Sequence, residues 1–274
     1  MQKGRGSDQK YRMEYINERS AALLRAAYVR AMEQRYGTDI EGWSLVGREE
    51  FGRFAPFEIP EGCRLVKEIK GPPKLLTIEA KYDKSLTLAL LVECDEGYFL
   101  VFRGTIALYE WYYDLKFFGV SHPDYDENVK VHGGFWEIYE YIRNAVTDLA
   151  DVIPADKKLQ IFGHSLGGAL SVFAALDLAP LKPRVFTLAT PKPGNSKFAD
   201  VVRSEVGQII RFTLKGDPVP GLPPMSDRFL KQNFTHPGME CKLISTPGKG
   251  LKERFIKAAA AHLPSSYFEA AGVD

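Results

Sequence analysis

Residues 158–174 read KLQIFGHSLGGALSVFA, and the succession of residue types in that stretch decides the fold. An apolar β-type run (Leu159, Ile161, Phe162) meets Gly163-His164-Ser165-Leu166-Gly167-Gly168, and a helix-forming stretch follows at once. Glycines two before and two after Ser165 permit a strand-to-helix turn too tight for side chains at those positions. The serine is then held in a strained backbone geometry that lifts its hydroxyl clear of the sheet. The helix that begins there points free N–H groups at the same spot, where they can stabilise an oxyanion. The stretch reads as a nucleophile elbow.

Working outward, β-type runs and helical periods alternate. A long helical pattern over 8–36 stops at Gly37, and its Ala- and Leu-rich face suits the back of a sheet. Residues 38–73 read as irregular, with turn signals at Pro56, Pro60, Gly62 and Gly71-Pro72-Pro73. A hairpin follows, with strands 85–94 and 98–102 around the turn Asp95-Glu96-Gly97. Beyond it come helix 135–153, strand 159–162, helix 167–179, strand 184–190, helix 195–206 and strand 208–214. A Pro/Gly-rich loop over 218–224 and a short last helix over 252–261 lead to His262. This alternation argues a three-layer α/β domain with a mostly parallel sheet and helices on both faces. No repeat or linker divides the chain, so a single domain over 1–274 is expected.

Composition narrows the function. The 274 residues are 45% hydrophobic and 26% charged, with a net charge of +1. No basic surplus points to nucleic acid. No apolar run is long enough to span a bilayer, and the first residues lack the apolar core of a secretory signal. The cytoplasm is therefore the default location, with leaderless export left open. Three cysteines (Cys63, Cys94, Cys241) allow at most one disulfide and leave a thiol over. A disulfide framework is not expected, and all three are read as small buried or surface residues. No cofactor and no metal is called for.

If Ser165 is a nucleophile, an acid and then a histidine should follow it in an α/β-hydrolase. Of the five histidines, His122 and His132 come too early, and the side chain of His164 leaves the elbow in another direction. His236 and His262 remain. The acid belongs just past a later strand, which favours Asp217 after 208–214, in a loop stiffened by Pro218, Pro220, Pro223 and Pro224. Asp227 is the runner-up; Asp177 and Asp200 fall within helices.

Short motifs in order carry a resemblance: FRGT at 102–105, VHGGF at 131–135, GHSLGGAL at 163–170, ATPKPGN at 189–195, GDPVPGLPP at 216–224 and HLPSSYF at 262–268. Together they make the chain similar to the class 3, fungal-type lipases of the α/β-hydrolase superfamily. The resemblance implies Asp217 as the acid and His262 as the base, with His236 a non-catalytic histidine. It implies an oxyanion hole from Thr105, by its backbone N–H and hydroxyl, alongside the N–H of Leu166. It also implies that Asp114, nine residues past Thr105, orients that hydroxyl. His132-Gly133-Gly134 falls in a different motif and is read as structural.

Residues 106–120 read IALYEWYYDLKFFGV, with Leu108, Trp111, Tyr112, Leu115 and Phe118 on one helical face. Read alone, such a stripe is core; by the resemblance it is a mobile lid over the serine. The function so implied is hydrolysis of lipid carboxylic esters through an acyl-enzyme on Ser165, with acylglycerol or phospholipid substrates met at a transient lipid–water interface. A triacylglycerol or acylglycerol lipase leads. A phospholipase A1 or lysophospholipase, and a silent lipid-binding protein on the same fold, are the alternatives.

Overall fold

The computed structural model describes residues 14–73, 85–106, 118–223, 233–244 and 259–273. Chain order gives helices α1 (Glu18–Tyr36) and α2 (Leu45–Phe51), then strands β1 (Cys63–Lys70), β2 (Thr87–Cys94), β3 (Gly97–Phe102), β4 (Gly119–Ser121) and β5 (Lys130–His132). Helices α3 (Gly133–Thr147) and α4 (Leu149–Val152) precede β6 (Leu159–His164), α5 (Leu166–Asp177), β7 (Arg184–Leu188) and β8 (Gly194–Asn195). Helix α6 (Ser196–Glu205), β9 (Ile209–Leu214), β10 (Phe234–Thr235), β11 (Met239–Leu243) and α7 (Pro264–Ala271) complete the order.

The main sheet runs β1-β2-β3-β6-β7-β9-β11. Its first three strands pair antiparallel, and every junction from β3 to β11 is parallel. Alternation sorts each strand between two cores. From β3 and β6, Leu100, Phe102, Leu159 and Ile161 join a cluster with α3 and α5. Phe99, Val101 and Phe162 join the opposite cluster with α1, α2 and α7. The three-layer α/β architecture read from the alternation is therefore present, with a mostly parallel sheet and helices on both faces. A second sheet, β10-β8-β5-β4, is made of strands two or three residues long.

Several expectations change. The helix expected over 8–36 runs as α1 from Glu18, where Asn17 caps it by accepting the Ser20 N–H at 2.9 Å, and residues before 14 lie outside the described set. The region read as irregular contains α2 and β1, and an edge strand, β11, follows β9. The last helix expected at 252–261 lies mostly outside the described residues; α7, unforeseen, follows His262. The cysteines also depart from expectation. Cys63 and Cys94 are register partners across β1 and β2 and form a disulfide, while Cys241 is free and buried. Among the described residues no helix is long and apolar enough to cross a membrane.

Candidate active site

The elbow between β6 and α5 behaves as its glycines demand. Ser165 has φ 57° and ψ −126°, outside the regions L-residues prefer. A Cβ on Gly163 would strike the Gly167 carbonyl, and one on Gly167 would strike the carbonyls of Phe102 and Arg103. Both clashes are with backbone, which cannot swing aside. Parallel neighbours hold the turn as well: the Ser165 N–H donates to the Leu188 carbonyl at 2.9 Å.

Asp217 and His262 arrive from distant segments. Asp217 sits in the loop after β9, whose turn closes with its N–H on the Leu214 carbonyl at 3.1 Å. His262 precedes α7. The Ser165 hydroxyl lies 2.8 Å from His262 Nε2, and His262 Nδ1 lies 2.9 Å from Asp217 Oδ2 and 3.1 Å from Oδ1. The Asp217 carboxylate is wholly buried. Its lone pairs are satisfied by the Val219 N–H at 2.9 Å and the Tyr267 hydroxyl at 2.6 Å, besides the imidazole. Tyr267 is itself fixed, since its oxygen accepts the Leu214 N–H at 3.1 Å. Burial, then the charge of Asp217, keeps the Tyr267 hydroxyl protonated far above the usual phenol range, so it remains a donor.

The oxyanion side is built from the segment after β3. Gly104 packs so tightly on the elbow that a Cβ there would lie 3.0 Å from Ser165 Cβ. Thr105 is 1% exposed, and its buried Oγ1 has no hydrogen-bond partner among the described residues. Leu166 opens α5, so its N–H has no carbonyl one turn back within the helix. An unmet hydroxyl and an uncommitted N–H beside a serine–imidazole pair suit a developing negative charge.

The other histidines do different work. His236 Nε2 donates to the Pro220 carbonyl at 2.9 Å, and Lys192 Nζ donates to the carbonyls of Gly221 and Pro223 at 2.9 and 2.8 Å. Both tether the loop behind Asp217. His132 caps α3 and stacks on Phe135 at 3.9 Å between centroids. Asp177 is held by Tyr139 and Arg143, and Asp200 by Arg203. Asp114 and the expected lid residues Leu108, Trp111, Tyr112 and Leu115 lie outside the described residues, as does Asp227. Phe118, which the resemblance places in the lid, is 39% exposed, and its ring occupies the space a side chain on Gly133 would need. Sequence reasoning does not reach Tyr267, Lys192 or His236 as supports, because each meets its partner only through the fold.

Residues 99–227 match the family model for lipase (class 3), a segment that includes Ser165 and Asp217. A lipase of Rhizopus niveus is 36% identical over 155 residues, 52% of this chain and 37% of that protein. A secreted mono- and diacylglycerol lipase A of Penicillium cyclopium is 31% identical over 133 residues, 46% of this chain and 43% of that protein. The chain thus spans well under half the length of these relatives. A solved triacylglycerol lipase, whose catalytic centre is formed by a serine protease triad, superposes with a TM-score of 0.58 at 26% identity, covering 83% of this chain and 79% of that one. Lipase II from Rhizopus niveus gives 0.60 at 25% identity, covering 89% and 82%. With the elbow, the strand order and the matched segment in agreement, this chain is similar to the class 3 lipases over residues 99–227 and shares the fold of their solved structures.

Proposed function

We propose that this chain hydrolyses carboxylic esters of acylglycerols through an acyl-enzyme on Ser165. One observation carries the reading: the continuous contact from Ser165 Oγ to His262 Nε2 and from His262 Nδ1 to Asp217. Neutral His262 takes the serine proton as Oγ attacks the ester carbonyl. Asp217 accepts the Nδ1–H, which fixes the tautomer that leaves Nε2 free as base, and stabilises the imidazolium that forms. The N–H of Leu166, with the N–H and hydroxyl of Thr105, receives the oxyanion. His262 then returns its proton to the leaving alkoxide, and the same base activates water against the acyl-serine.

The acylglycerol substrate is supported by the family and by the relatives' names. The aromatic segment 106–120 supports a lid whose apolar face would meet a lipid surface, a transfer out of water favourable by about 25 cal/mol per Å² of apolar area. The disulfide supports an oxidising compartment in place of the cytoplasmic default, since such bonds persist where thiols are not kept reduced.

The test is fluorophosphonate labelling followed by acyl-chain profiling on glycerides and phospholipids, with Ser165→Ala as blank. Adduct on Ser165 and glyceride cleavage rising above the solubility limit are expected. Labelling with phospholipid cleavage alone would replace the substrate class, and absence of adduct would reduce the chain to a silent lipid binder.

A further inference from the structure

His164, next to the nucleophile, is fully buried, and both its ring nitrogens are engaged. Nε2 lies 2.7 Å from the backbone carbonyl of His262, and Nδ1 lies 2.8 Å from the Tyr28 hydroxyl. A carbonyl only accepts, so Nε2 carries the proton and Nδ1 is the acceptor. Tyr28 must therefore donate to Nδ1, and its oxygen in turn accepts the Gly104 N–H at 2.8 Å. One directed chain results: Gly104 N–H to Tyr28 O–H to the His164 ring to the His262 carbonyl. Its ends are the peptide leading into Thr105 and the backbone of the residue that faces Ser165.

Nothing in this chain has slack. The Tyr28 ring stacks on Phe51 of α2 at 4.4 Å and 11° between planes, which aims the hydroxyl. A Cβ on Gly104 would lie 2.5 Å from that hydroxyl oxygen and 2.9 Å from the His164 carbonyl oxygen, so the peptide is wedged between helix and elbow. Burial keeps Tyr28 protonated well above the usual phenol range and His164 neutral well below the usual imidazole range, which preserves the chain's direction. Oxyanion donors must lie within a few tenths of an ångström of their target, and misplacement by about 1 Å costs about 100-fold in rate.

We propose that Tyr28 and His164 are positioning residues that set the oxyanion segment Gly104–Thr105 against His262, so that helix α1, outside the family-matched segment, completes the catalytic centre. The inference rests on the ester-hydrolase reading above. Tyr28→Phe keeps the stacked ring and deletes only the hydroxyl. His164→Gln keeps an amide N–H able to reach the His262 carbonyl, whereas His164→Leu keeps neither bond.

Each variant is assayed on a soluble short-chain p-nitrophenyl ester, with intact sites counted by complete reaction with a fluorophosphonate. The rate of that reaction is followed as well. Tyr28→Phe is expected to titrate as many sites as the wild type, hold KM within about twofold, and lose about 10–100-fold in kcat and in phosphonylation rate. His164→Leu should fall at least as far and His164→Gln should recover part of the loss. The double variant Tyr28→Phe/His164→Leu should be no worse than its poorer parent, as members of one chain are non-additive. Unchanged kcat per titrated site in Tyr28→Phe, losses that track the number of titratable sites, or additive losses in the double variant would each overturn the inference alone. A wild-type chain that takes no phosphonate overturns the ester-hydrolase reading with it.

Discussion

At the residue scale, the strain at Ser165 makes a test that activity cannot confuse. Its φ of 57° and ψ of −126° cost any residue with a Cβ about 1–3 kcal/mol, and glycine much less. Ser165→Gly and Ser165→Ala should both be inactive, yet the glycine variant should be more stable by about 1 kcal/mol after its greater unfolded-state entropy is subtracted. Equal denaturation midpoints would remove the strain. Tyr267 makes a second test. Tyr267→Phe deletes a donor to Asp217 and leaves the buried Leu214 N–H unmet, which costs about 1–3 kcal/mol. Its kcat should fall several-fold with KM unchanged, read from steady-state kinetics on a soluble ester; a change in KM alone would assign Tyr267 to binding. Ser165 can be named from its glycine spacing, and Asp217 and His262 through the motifs that carry the family resemblance, because these signals are local. Tyr28 and Tyr267 cannot. Their hydroxyls meet partners 76 and 50 residues away, and such distances leave no trace in spacing.

At the element scale, what can be read depends on where each strand lies. Strands β2, β3, β6 and β7 are covered on both faces and read as nearly unbroken apolar runs. Strands β1 and β11 lie at the sheet's edges and carry Arg64, Lys67, Glu68 and Lys70, or Glu240 and Lys242, the charges that guard an edge against further pairing. Those charges erase the period by which β1 would be found. The disulfide is hidden with it, because only the β1–β2 register brings Cys63 opposite Cys94. A link across 31 residues removes unfolded-state entropy worth about 3–4 kcal/mol. Reduction, or Cys63→Ser with Cys94→Ser, should therefore lower Tm by about 10 °C while soluble-ester hydrolysis at 25 °C persists, since β3 stands between the two linked strands and the elbow. Identical melting of fully reduced and oxidised protein would refute the stabilising role.

At the scale of the whole molecule, packing histidines into the interior has a consequence for acid stability. Burial holds His132 down to about 4 and His164 well below the ordinary imidazole value, and it lowers His122 in the same direction. His236 is pushed to about 3 by burial first and then by Arg211 and Lys192; being partly exposed as a residue, it counts for less. In the unfolded chain these imidazoles take up protons near pH 6.5, whereas in the fold they stay neutral. Below pH 6.5 the unfolded state thus binds more protons, and stability declines as pH falls; above it these groups add no pH dependence. His132 alone costs on the order of 2 kcal/mol by pH 5, and His164 adds a loss in the same direction. Against the roughly 5–15 kcal/mol that holds an ordinary domain together, that is a substantial share. Glu68 and Asp124, whose carboxyls lie below their usual range, add losses of the same sign at lower pH. Tm should accordingly drop steeply between pH 7.5 and 5.0. His132→Asn, which keeps a side-chain acceptor for the Phe135 N–H, should be less stable at pH 7.5 yet show a clearly shallower drop. A wild-type Tm that stays level across that interval would mean that the buried rings take up protons in place, and the fixed direction of the chain through His164 would then no longer hold in acid.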